Sequence, residues 1–130
     1  MMSTELTVLA LAALLQGLQF AAYSIAANRQ VGPKVAMGPR DQAPMLTGTA
    51  GRLQRALNNH FEGLILFAIA VLVTVAGGQA SALTAACAWI YLGARLLYIP
   101  AYVLGWVPWR SVIWALGFAA TMLMILASLI

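Results

Sequence analysis

The stretch RLQRALNNHFEG, residues 52–63, runs without a break into LILFAIAVLVTVAG, residues 64–77. The first half carries two arginines, two asparagines, a histidine and a glutamate, while the second is apolar enough to sit in lipid. A bilayer hydrocarbon core of about 30 Å needs roughly 20 helical residues to cross it. The apolar run from Gly63 to Ala76 falls short of that, so it spans only if the polar stretch belongs to the same helix. Charged first turns feeding an apolar span then imply a helix with one face turned into a protein bundle.

Three further apolar runs, Leu6 to Ala27, Ala82 to Leu104 with Arg95 inside it, and Val112 to Ile130, are each long enough to cross alone. Over the 130 residues, 63% are hydrophobic and 8% charged. The charged share is far below the quarter expected of a soluble globular domain, which excludes that class. The reading is a single domain, 1–130, with helices near 5–27, 50–77, 81–104 and 109–130: an all-α, integral membrane, antiparallel four-helix bundle. Gly77 and Gly78 close the second span, and Trp106-Val107-Pro108 separates the third from the fourth. Trp106 and Trp109 suit the interfacial belt.

The charges set the expected topology. Four of the seven basic residues lie between Asn28 and Leu53, Arg55 follows at once, Arg110 follows the third span, and the GGQAS connection at 77–81 has none. By the positive-inside rule the loop 28–49 and the turn before Arg110 are cytoplasmic, and both termini are non-cytoplasmic. The first span has only Glu5 near its start, with its positive residues after it, so it reads as an anchor and not as a cleavable signal. The absence of an endoplasmic-reticulum retention tail points to a bacterial inner membrane with periplasmic termini. The net charge of +4 is accounted for by topology, and nucleic-acid binding is not expected. The segment 28–51, with three prolines and four glycines, cannot be a regular helix through most of its length. A loop this long is either functional or a solvated connector. Cys87 lies in apolar sequence with nothing to activate it and reads as a packed small side chain; no metal-ligand spacing exists.

At about 100° per residue, Arg52, Arg55, Asn59 and Glu62 fall within about 80° of arc on the second span. His60 lies beside that stripe and is expected to pack. Arg95, Tyr98 and Tyr102 make a second stripe on the third span. Counting inward from Arg52 and from Gly105, Arg55 is level with Tyr102, Asn59 with Tyr98, and Glu62 with Arg95, the last pair about 15 Å deep. Facing one another, the stripes line a polar cleft with Arg110 near its mouth. Buried charges pair first, so Glu62 and Arg95 are the expected structural ion pair, with direct ligand contact as the alternative. Arg55 and Arg110 then remain without an acidic partner other than Asp41 in the loop, and their planar forks suit carboxylates. Gln16, Gln19 and Tyr23 on the first span either close the cleft's side or make interhelical hydrogen bonds.

RALNNHFE (55–62) resembles the RAxxNxxE signature of the MAPEG family, the membrane-associated proteins in eicosanoid and glutathione metabolism. ARLLYIPAY (94–102) resembles the family's ARxxYxxxY segment, and PWRSV (108–112) its PxRS start of the last helix, as in the prostaglandin E synthase branch. The three occur in the right order on the right spans, and the resemblance covers the whole chain. It implies a homotrimer with glutathione, a co-substrate, held between subunits near the cytoplasmic side, and no metal. It also implies that Arg55, Asn59, Glu62, Tyr98 and Tyr102 contact glutathione, with Arg29 a looser match. Arg110 would stand beside the sulfur as the catalytic residue and favour its thiolate. The implied activity is a glutathione-dependent transferase or peroxidase acting on a lipophilic small molecule that enters from the membrane lipid. The alternative is a non-catalytic scaffold or accessory subunit on the same fold. One departure is Ile65, where many relatives have a proline that bends the helix, and another is a longer loop after the first span.

Overall fold

The computed structural model describes residues 2–39 and 46–130. Its helices are α1 (Thr4–Val31), α2 (Pro33–Ala36), α3 (Gly48–Ala76), α4 (Ala82–Val103) and α5 (Trp109–Leu129), with no strand among the described residues. The four long helices are all apolar and long enough to cross a membrane, and they form an integral membrane four-helix bundle. Helix α3 continues unbroken through Ile65, and at 1.5 Å per residue it is about 43 Å long. It exceeds the hydrocarbon thickness by two to three turns, which are the turns that carry Arg52 and Arg55.

Helix α1 starts where the Ser3 hydroxyl accepts the Leu6 amide at 3.2 Å. It ends only at Gly32, whose φ of 85° a side chain would strain, and Pro33 opens α2. The helix therefore continues four residues past the predicted end at Ala27, because no glycine or proline lies between Ala27 and Gly32, and the expected loop 28–49 begins as helix. Residues 40–45, including Asp41, lie outside the described residues. Gln30 ties the far side of that segment to α1: its amide donates to the Thr47 carbonyl at 2.8 Å and accepts the Thr47 N–H at 2.9 Å.

At the opposite end, Ser81 and Thr84 form a reciprocal cap on α4. The Thr84 hydroxyl also donates to Glu5 Oε2 at 2.7 Å, with Glu5 only 2% exposed. A carboxylate here faces the first turns of both α1 and α4, where unpaired backbone N–H groups favour negative charge.

The core is contributed by all four long helices, among them Val8 and Leu15 of α1, Phe67 and Val71 of α3, Tyr91 of α4 and Met124 of α5. Phe67 and Tyr91 stack at 3.9 Å with planes 8° apart. Cys87 is buried in the same cluster as a free thiol. Outward faces carry Leu14, Leu18, Leu72 and Leu126, each more than half exposed, as lipid contact requires. Helices α4 and α5 approach closely because Gly117 sits against Ala94, where even an added Cβ would come within 3.4 Å.

His60 is fully buried and joins α1 to α3. One ring nitrogen, Nε2, lies 3.1 Å from the Ala12 carbonyl, which can only accept, and Nδ1 lies 2.7 Å from the Gln19 amide nitrogen, which can only donate. The two neighbours together fix the neutral Nε2–H tautomer. His60 thus packs, as expected, and Gln19 makes an interhelical hydrogen bond instead of walling the cleft. Replacing His60 with Leu is expected to cost about 1–3 kcal/mol, since both α1 groups lose their partner. The midpoint of denaturant unfolding in detergent micelles measures it.

Candidate functional site

Arg29, Lys34, Arg52, Arg55 and Arg110 gather at the end of the bundle where α1 finishes, α3 begins and α4 turns into α5. Near this basic end α3, α4 and α5 enclose a cavity of about 400 Å³ lined by Arg55, Asn59, Glu62, Tyr98, Tyr102 and Arg110. Its size falls in the range of roughly 300–1,000 Å³ usual for small-molecule pockets. The turn that brings Arg110 back to α4 depends on Gly105, whose φ is 72°.

Tyr102 organises the mouth. Its hydroxyl accepts the Arg55 Nε–H at 3.0 Å, and the Arg110 guanidinium stands over its ring, 4.7 Å from the centroid. Arg52, one turn before Arg55, donates to the Val103 carbonyl at 2.9 Å and caps the end of α4. Tyr98 lies deeper, buried, with its ring 5.6 Å from that of Tyr102. Arg55 and Arg110 share the lining with a single carboxylate, Glu62, so the lining carries one excess positive charge. Each guanidinium retains N–H groups beyond those contacts, in the planar arrangement that matches a carboxylate.

The predicted Glu62–Arg95 ion pair is not made. Arg95 is buried over the Tyr98 ring at 4.4 Å and donates its Nη1–H to Asn59 Oδ1 at 2.7 Å. Its Nε and Nη2 have no hydrogen-bond partner among the described residues. The level count placed the Cα atoms, but an arginine side chain reaches about a full helical turn, and it reaches Asn59 instead of Glu62. Glu62 is left exposed on the cavity wall, and Asn59 serves both Arg95 and the cavity.

Arg29 is not brought to this cavity. It lines a separate groove beside Ala26 and Thr49, on the outer side of α1 and α3. Three lining residues were not singled out from the sequence: Asn58, Ser111 and Trp114. Ser111 and Trp114 follow Arg110 by one and four positions on α5, so the helical spacing from Arg110 alone points to Trp114. Among the described residues no group of three or more His, Cys, Asp or Glu side chains could hold a metal ion.

The sequence model of the MAPEG family matches residues 5–130, essentially the whole chain. No curated protein and no solved structure matches it.

Proposed function

This chain belongs to the MAPEG family, and from that premise we propose that it is a glutathione-dependent membrane transferase or peroxidase acting on lipophilic electrophiles. The observation that carries the reading is that Tyr102 gathers two arginines, Arg55 on its hydroxyl and Arg110 over its ring, in the lining of a cavity that also presents Glu62. Glutathione has two carboxylates, one ammonium and one thiol. Arg55 grips a carboxylate, Asn59 and the tyrosine hydroxyls orient the peptide, and Glu62, free of Arg95, accepts the ammonium. Arg110 faces the sulfur and holds it as the thiolate.

The protein supplies no nucleophile. In conjugation the thiolate lone pair forms the C–S bond while the carbon's leaving group departs, or while a proton is taken up at the neighbouring carbon. The chain contributes position and charge to that step. Trp114, 41% exposed on α5, gives the cavity an apolar flank toward the bilayer through which a lipophilic partner reaches the sulfur. The cavity's basic end faces the cytoplasm in this reading, with both termini on the opposite side, and three copies close one another's clefts. Exposure of Glu62 and Arg55 in the single chain, and the position of Arg29 on an outer groove, support that assembly.

Glutathione titrated into the detergent-purified protein is expected to bind with an affinity in the micromolar to millimolar range. Tyr102→Phe, which removes the hydroxyl that holds Arg55, is expected to weaken that binding about 3–10-fold. Calorimetry reads both. Absence of binding at millimolar glutathione favours the non-catalytic scaffold on the same fold.

A further inference from the structure

The polarity of one cleft side chain is set from outside the cleft. Asn59 is half-buried on α3 and lines the cavity, while Arg95 of α4 is 3% exposed and is not among the residues that line it. Arg95 donates its Nη1–H to Asn59 Oδ1 at 2.7 Å. A guanidinium has five N–H donors and no acceptor, so the atom it meets can only be the amide oxygen. Turned over, the Asn59 amide would set N–H against N–H beside a buried positive charge.

That orientation leaves Nδ2, with its two N–H groups, as the other polar end of the amide. No acceptor among the described residues holds it. Nor is it shut off: the side-chain polar atoms buried without a partner among the described residues belong to Gln16, Gln19, Tyr91 and Arg95. Arg95 is held from a second side, its guanidinium standing 4.4 Å from the ring centroid of the buried Tyr98, so its aim at Asn59 is fixed. Arg55 polarises Tyr102 in the same sense, because the hydroxyl oxygen takes the Arg55 Nε–H and leaves the hydroxyl proton for the cavity. Two arginines thereby turn two neutral side chains of the cleft into donors.

We propose that Arg95 is a positioning residue: it fixes the Asn59 amide with its oxygen inward and its N–H groups toward the cleft, so that Asn59 recognises a carbonyl or carboxylate oxygen of the bound tripeptide and none of its N–H groups. The identity of the ligand rests on the glutathione reading above, whereas the orientation of the amide does not.

The chain has three asparagines, Asn28, Asn58 and Asn59, so nitrogen-15 labelling of asparagine alone in the detergent-purified full chain gives three side-chain NH2 pairs. The Asn59 pair is the one lost in Asn59→Ala. In the unaltered chain that pair is expected to exchange with water, and to shift when glutathione is added. Arg95→Gln, whose amide can meet Asn59 in either sense, is expected to weaken glutathione binding about 3–10-fold. In an Asn59→Ala background the same substitution is expected to change binding less than about twofold, because no amide is left to orient. A merely structural Arg95 would weaken binding equally in both backgrounds, and that result overturns the proposal. An Asn59 pair shielded from water in the unaltered chain, or one that glutathione binding leaves unshifted, overturns it as well, even if Arg95→Gln does not fold. No glutathione binding at millimolar concentration, with the Asn59 pair still exchanging with water, would remove the glutathione reading and support the orientation.

Discussion

Arg110→Ala is expected to lower glutathione-dependent turnover about 10²–10³-fold, with a much smaller change in the KM for glutathione. The guanidinium sits half-buried in the first turn of α5, over the Tyr102 ring, a neutral neighbour. In the proposed complex its charge is therefore available to the sulfur, and a group acting on the developing reaction centre is worth about that factor. In that reading Arg55, bonded to Tyr102, still holds a carboxylate in the variant, so binding is expected to survive. Arg110→Lys keeps the charge, loses the planar fork and recovers part of the rate. Initial rates with an activated aryl halide over a range of glutathione concentrations separate kcat from KM. A raised KM with unchanged kcat would reduce Arg110 to a binding residue.

The largest expected effect on stability is that of Phe67→Ala, about 3–5 kcal/mol. Phe67 is completely buried at the centre of the bundle, stacked on Tyr91 and surrounded by residues of all four long helices. Truncation removes the stack and leaves a void that lipid cannot reach. Leu72→Ala, on the outer face of the same helix, trades contact with lipid for contact with lipid and is expected to change stability by less than about 1 kcal/mol. Denaturant midpoints of the two variants in one detergent give the comparison. Equal shifts would mean that the packing of α3 on α4 is not what holds the bundle.

The number, order and approximate ends of the four long helices were legible in the sequence because each span is both long and apolar, and because glycine and proline mark the turns; the short α2, inside the expected loop 28–49, was not. The stretch RLQRALNNHFEG is the clearest instance: residues 63–76 are too few to cross a membrane, so the polar turns had to be helical, and α3 begins at Gly48. Counting levels from Arg52 and Gly105 also placed Arg55 against Tyr102, which are bonded at 3.0 Å. The count failed where side-chain reach exceeds the rise of a turn, so that Arg95 meets Asn59 rather than Glu62. The burial of Glu5 was not legible either, because in sequence it is a lone charge near a terminus. In three dimensions it is buried because the capped start of α4 comes to it. Contacts between distant helices depend on rotation about each axis, and periodicity within one helix fixes that angle only to within the width of its polar face.

The central claim is that the cleft holds glutathione with its sulfur ionised beside Arg110. The ultraviolet difference spectrum of the purified protein on adding glutathione tests it most directly. A thiolate absorbance band is predicted to appear with the unaltered chain at neutral pH, and to be lost in Arg110→Ala while glutathione still binds. No band with the unaltered chain, or an undiminished band in Arg110→Ala, would contradict it.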